Sequence, residues 1–271
     1  MFLKSVFSLT FLARLKIGNK TTLALCLILN CHFMPNLCYS TPVKHEGHGG
    51  PVMGLATSPE KNLLVSTSFD YSVLVWELDE VREIKQLMGH EAAVNVANFS
   101  NSGELLATAG DDAKIFLWDF QEKANRPSVK LILDAHTAKV VDIDFSSDDQ
   151  YLASASWDHS IKIWDVETGK LVKSIIGHDG PVNSVKFSED GQYLYSAGYD
   201  GTIRYWRLSD GDEVRTLVDN GWGVNVLVVD EAENLLLYGT IDGLMTIRSL
   251  DMQKVLIRIW EEGAPVSALN Y

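Results

Sequence analysis

Cysteine is absent from most of this chain. Cys26, Cys31 and Cys38 all fall within the first 40 of its 271 residues, so residues 41–271 can form no internal disulfide and offer no thiolate to a metal or an electrophile. Acidic residues are missing where the cysteines are found: none precedes Glu46, while Lys4, Arg14, Lys16 and Lys20 do. Beyond residue 40, 19 basic residues face 36 acidic ones, a net charge of −17. A surface that acidic repels phosphate backbones and anionic membranes, which argues against nucleic-acid partners. Glycine (20) and proline (7) are too scarce for a collagen-like or low-complexity chain. No stretch after residue 40 has a convincing helical period.

Catalytic signatures are missing as well. There is no Gly-x-Ser-x-Gly elbow, no phosphate loop, no dinucleotide fingerprint and no Cys-x-x-Cys-His haem attachment. His45-Glu46-Gly47-His48 is a superficial match to a zinc-protease motif, which needs two histidines four apart on a helix; these are three apart beside Gly49-Gly50. With no nucleophile to carry a reaction, no catalytic residue, cofactor or metal is expected, and the chain reads as non-enzymatic.

Residues 1–40 have the order of a secretory signal: a basic, acid-free region to residue 22, the apolar run Leu23-Ala-Leu-Cys-Leu-Ile-Leu29, then Pro35 and the small residues Cys38 and Ser40. Cleavage is expected near Thr41, with the rest periplasmic or extracellular. The alternatives are an amphipathic N-terminal helix, an uncleaved membrane anchor or a transit peptide, although a full span needs about 20 apolar residues and this run is too short for one.

From Gly47 onward one pattern recurs: Gly-His, a Val, a Phe-Ser turn, a strand of small residues, an aromatic-Asp turn, and an apolar strand ending in Trp-Asp. His48, His90, His136 and His178 are spaced 42, 46 and 42, and Trp76, Trp118, Trp164 and Trp206 keep the same spacing. Turn aspartates stay in step at Asp70, Asp112, Asp158, Asp200 and Asp242. The alternation in Val182–Phe187 and Thr202–Trp206, the β-rich Gln192–Ala197, and a fourth segment such as Leu171–Ile176 predict four strands per unit. Units run approximately over 47–88, 89–134, 135–176, 177–218 and 219–260, with a partial one at 261–271, inside a body spanning 41–271.

These units resemble WD repeats, the four-stranded blades of β-propellers. The resemblance implies an all-β WD40-type propeller of five complete blades plus a single strand of a sixth at Gly263–Leu269. Seven blades are usual in the family, and five wedges of about 51° cover roughly 260°, so an incomplete or open ring is expected, either a truncated product of a longer gene or one completed by a second polypeptide or by self-association. The resemblance also implies a buried relay in each blade: His48, Ser66, Asp70 and Trp76; His90, Thr108, Asp112 and Trp118; His136, Ser154, Asp158 and Trp164; His178, Ser196, Asp200 and Trp206. In the fifth unit Asn220, Tyr238 and Arg248 replace His, Ser and Trp, and packing of Val224, Val226, Leu235 and Leu237 is expected to hold that blade instead.

Members of the family bind partners mostly where the Gly-His loops and aromatic-Asp turns converge. By matching position, that face carries Phe69, Asp111, Trp157, Tyr199 and Ile241 just before the turn aspartates. The third and fifth positions after each His add Pro51 and Met53, Ala93 and Asn95, Lys139 and Val141, Pro181 and Asn183, with Gly223 and Asn225 in the fifth unit. The expected function is an exported protein-protein interaction scaffold. The alternative is an accessory part of an electron-transfer protein, because the wording of the repeats is similar to exported bacterial WD proteins that continue into a c-type cytochrome domain.

Overall fold

A computed structural model describes residues 47–80, 82–120, 127–218, 221–260 and 265–267. The leader, His45, Glu46 and Asn220 lie outside the described residues. Within them the chain is all-β, with no helix, and forms five four-stranded antiparallel sheets in which neighbours in sequence are neighbours in space. The first holds β1 (Val52–Thr57), β2 (Leu63–Ser68), β3 (Val73–Glu77) and β4 (Arg82–Leu87). The second holds β5 (Val94–Phe99), β6 (Leu105–Gly110), β7 (Lys114–Asp119) and β8 (Ser128–Asp134), and the third β9 (Val140–Phe145), β10 (Tyr151–Ser156), β11 (Ser160–Asp165) and β12 (Leu171–Ile176). The fourth holds β13 (Val182–Phe187), β14 (Tyr193–Gly198), β15 (Thr202–Arg207) and β16 (Glu213–Val218), and the fifth β17 (Val224–Asp230), β18 (Leu235–Thr240), β19 (Leu244–Ser249) and β20 (Val255–Trp260).

In the second, third and fourth sheets, which have a sheet on either side, the second strand is buried over at least five of its six residues. All six residues of β6 (Leu-Leu-Ala-Thr-Ala-Gly) are buried, and the last four are short side chains, which suits a strand lying between sheets about 10 Å apart. The first strand alternates: in β9, Val140, Ile143 and Phe145 turn into the seam with the preceding sheet while the residues between them are half-buried. The core is therefore divided into four apolar seams, one between each pair of successive sheets. In the second, Ala107, Ala109, Ile115 and Leu133 meet Ile143, Leu152 and Trp164. First strands pack in chain order, β1 with β5, β5 with β9, β9 with β13 and β13 with β17. Among the described residues no strand of the fifth sheet packs on one of the first to a comparable extent.

One expectation needs correction. In the fifth sheet the buried residues are Val224, Leu227, Leu236 and Tyr238, whereas Val226, Leu235 and Leu237 are only half-buried. The two-residue period explains this: Leu236 and Tyr238 point to the fourth sheet, and Leu235 and Leu237 to the other face. Most of the expected sixth-unit strand, Gly263, Ala264, Ala268 and Leu269, lies outside the described residues; Pro265, Val266 and Ser267 within it carry no strand pairing. Val266 is nevertheless seated on the fifth sheet, donating its N–H to the Thr240 carbonyl at 3.1 Å and accepting from Asn225 Nδ2 at 3.3 Å.

Candidate functional site

The rigid part of the site is a chain of hydrogen bonds whose direction follows from which atoms carry hydrogen. In the third sheet the Trp164 indole can only donate, and it does so to Ser154 Oγ at 2.9 Å. Ser154 is left to donate its own hydrogen to His136 Nε2 at 2.7 Å, so His136 Nδ1 carries the ring proton and donates it to Asp158 at 2.7 Å. The second and fourth sheets repeat the arrangement through Trp118, Thr108, His90 and Asp112 and through Trp206, Ser196, His178 and Asp200, with every link between 2.7 and 2.9 Å. In the first sheet, Trp76 to Ser66 and Ser66 to His48 are as short, but His48 to Asp70 lengthens to 3.3 Å.

Each aspartate then anchors two pieces of backbone. Asp158 accepts from Thr137 N in the Gly-His loop and from Ser160 N and Oγ beyond the turn. Burial alone pushes its carboxyl up, but the bonds from His136, Ser160 and Thr137 outweigh it and hold the group well below 3.8. The balance has the same sign at Asp70, Asp112 and Asp200. In the fifth sheet Tyr238 fills the serine position, fully buried, and Arg248 reaches its hydroxyl at 3.5 Å. Asp242 accepts from Thr240 Oγ1 there.

The same framework fixes a row of turns. The residue before each aspartate donates its N–H to the carbonyl of the third residue of the preceding loop: Phe69 to Pro51, Asp111 to Ala93, Trp157 to Lys139, Tyr199 to Pro181 and Ile241 to Gly223, all at 2.8–3.0 Å. The residue after each aspartate is left-handed, at Tyr71, Ala113, His159, Gly201 and Gly243. Met53, Phe69, Asp111, Trp157 and Tyr199 are exposed, Lys139 and Ile241 half-buried, and Ala93 is buried. Lys139 lays its ammonium over the Trp157 ring, 3.5 Å from the centroid.

The fifth positions are bulges. Pairing of first with second strand skips Met53, Asn95, Val141, Asn183 and Asn225 in turn, which frees those side chains from the ladder. The asparagines use that freedom to reach the next sheet, and Asn95 also donates to the exposed Asp111 Oδ1 of its own turn at 2.8 Å. Asn95 donates to the Val140 carbonyl and Asn183 to that of Val224, each at 3.0 Å in the next sheet. Asn225 reaches Val266 in the same way.

The "WD domain, G-beta repeat" family model matches residues 40–77, 81–119, 127–165 and 169–207, more than half of the chain. The chain belongs to the WD40 family. It is 38% identical over 98 residues to a probable coatomer subunit beta' of Schizosaccharomyces pombe, covering 35% of this chain and 12% of that protein. It is 40% identical over 75 residues to a probable cytosolic iron-sulfur protein assembly protein CIAO1 homolog of Caenorhabditis elegans (27% and 22%). To the small ribosomal subunit protein RACK1y of Oryza sativa it is 39% identical over 79 residues (28% and 24%). The chain thus spans under a quarter of the length of each of these relatives.

The fifth WD40 sheet lies outside the matched ranges, as its replaced His, Ser and Trp positions would have it. Three features of the site escape the repeat pattern. Ser72, Ser160 and Thr202, two residues after the turn aspartate, add a hydroxyl bond to it; a hydroxyl recurring at that offset was the available signal. Trp222 is exposed in the loop beside Tyr199, where Gly223 leaves room for the tyrosine. Finally, Asp142 and Asp144 of β9 accept from Val185 N and Phe187 N of β13, at 3.0 and 2.8 Å, with Lys186 between them. Burial opposes the charge on Lys186, and the two carboxylates reverse that and push its pKa up.

Proposed function

We propose that the chain is a non-enzymatic interaction scaffold, exported from the cell, whose turn face docks a protein or peptide. The observation that carries this reading is the set of exposed aromatics on that face: Phe69, Trp157 and Tyr199 on turns tied to the buried relays, with Trp222 in the loop beside Tyr199. Large aromatic rings that are kept exposed and immobile lose little entropy on binding and dominate interface energetics. Two of the relatives are subunit proteins by name and a third an assembly protein, which suits a role among partners.

Neighbouring residues test it. Asp158→Ala removes the acceptor for His136, Thr137 and Ser160 and should destabilise the chain by about 1–3 kcal/mol. Trp157→Ala should leave urea midpoints almost unchanged, yet weaken capture of a native-host partner by about 2 kcal/mol. A partner held equally well by the Trp157→Ala, Tyr199→Ala double variant would place the binding face elsewhere. Export is tested separately by intact mass of the protein from its native host, expected to begin near Thr41.

A further inference from the structure

We infer that the turn face recognises a basic segment, and that Lys139 is an internal stand-in for one of its cationic side chains. This rests on the turn face being the docking surface. The first observation is Lys139 itself. In a chain with far more acidic than basic residues, Lys114, Lys130, Lys186, Arg204 and Arg207 pair with carboxylates, and Lys61, Lys162 and Lys173 bond carbonyl or hydroxyl oxygens. Lys139 makes no such pair among the described residues; its ammonium lies 3.5 Å from the centroid of Trp157 instead. Trp157 remains 41% exposed with Lys139 in place, so a cation from outside that displaces Lys139 can reach the electron-rich face of the indole.

The second observation is that Lys139 is unique at its position. The equivalent residues are Pro51, Ala93, Pro181 and Gly223, none of which can cover the aromatic of its own turn with a cation. Tyr199 is consequently left open. Its neighbours are kept low: a Cβ on Gly180 would sit 3.3 Å from Asp200 N, and one on Gly223 3.2 Å from the Tyr199 Cα. Around that clearing stand the exposed Trp222 and the exposed carboxylate of Asp179, and Asp111 adds a second exposed carboxylate on the same row of turns. Rings beside carboxylates, on a body of net charge −17 beyond residue 40, complement lysine or, better, the flat guanidinium of arginine, which stacks and accepts ion pairing together. One cation fits at Tyr199 and Trp222; a second takes the Trp157 face by displacing Lys139.

The sign of the Lys139 effect decides the matter. The full chain is titrated with fluorescein-labelled Gly-Arg-Gly-Gly-Arg-Gly and Gly-Glu-Gly-Gly-Glu-Gly peptides, read by anisotropy. The basic peptide should bind, more weakly as salt rises, and the acidic one should not. Lys139→Ala should tighten the basic peptide by about three-fold or more, and Tyr199→Ala should weaken it by about five-fold or more. Binding of the acidic peptide, lost in Lys139→Ala, would make Lys139 the recognition cation and overturn the inference. So would basic-peptide binding indifferent to both substitutions, which is attraction to the acidic body alone, or no binding of either peptide. A native partner that still depends on Trp157 and Tyr199 would then preserve the turn face as a docking surface and sink only its preference for cations.

Discussion

Four turn aspartates, Asp70, Asp112, Asp158 and Asp200, are each held below the ordinary carboxylate value by the bonds they accept, and this makes acid the natural way to loosen the protein. A depressed native pKa means the unfolded chain binds protons more readily. The stabilisation is therefore complete above the unfolded value of about 3.9 and lost as pH falls towards the native values. Thermal midpoints should stay level from about pH 7 to 5 and drop steeply below about pH 4. A midpoint that declines mainly between pH 7 and 5 would assign acid sensitivity to other groups. One residue earlier in the folding problem, the left-handed position after each aspartate is glycine at Gly201 and Gly243 but alanine at Ala113, with φ of 61°. A left-handed non-glycine residue costs roughly 1–2 kcal/mol, and glycine's extra freedom in the unfolded chain takes back about 0.5–1 kcal/mol. Ala113→Gly should accordingly stabilise by up to about 1.5 kcal/mol in urea titration, and a clear loss would contradict it.

At the scale of strands and sheets, what could be read in advance depended on repetition. His, Asp and Trp recur with one spacing, so the relay and the four-strand unit were legible even before any pairing was known. The joints between sheets were not, because each uses different residues. Asn95 and Asn183 stitch two of them, but Val141 stands at the same bulge in the third sheet, and there the work passes to Asp142, Asp144 and Lys186. Those three occur together once, so no periodicity announces them. The fifth sheet shows the reverse case: losing His, Ser and Trp erased its signature, yet β17 to β20 pair as the others do, because Leu227, Leu236 and Tyr238 still fill the seam. Lys186→Met tests the charged joint. It leaves two carboxylates facing each other without their cation, which should cost about 1–3 kcal/mol at pH 7 given that all three groups keep some contact with solvent. The cost should shrink in acid, as Asp144, whose carboxyl burial pushes up, takes a proton; an equal cost at pH 7 and in acid would mean the lysine stem, not its charge, holds the sheets together.

Across the whole array, stability should be graded rather than uniform. Val52 and Leu55 of β1 are 52% and 53% exposed, while their counterparts Val94, Ala97, Val140 and Ile143 are 7% or less. The first sheet therefore has a seam on one side only, and its relay has the longest histidine-aspartate link. By NMR, the indole N–H of Trp76 should exchange with solvent faster than those of Trp118, Trp164 and Trp206, since local opening follows the number of packed neighbours. Equal rates would mean that the sheets open as one unit. The same neighbour-to-neighbour construction bears on how the molecule is made. Its described hydrogen bonds reach at most 59 residues along the chain, from Lys61 to Phe120. During synthesis, which proceeds from the first residue, each sheet has its neighbour within reach soon after it emerges. The order of translation is then also the order of folding, and a ribosome halted midway would carry finished sheets instead of a collapsed chain waiting for its last residues.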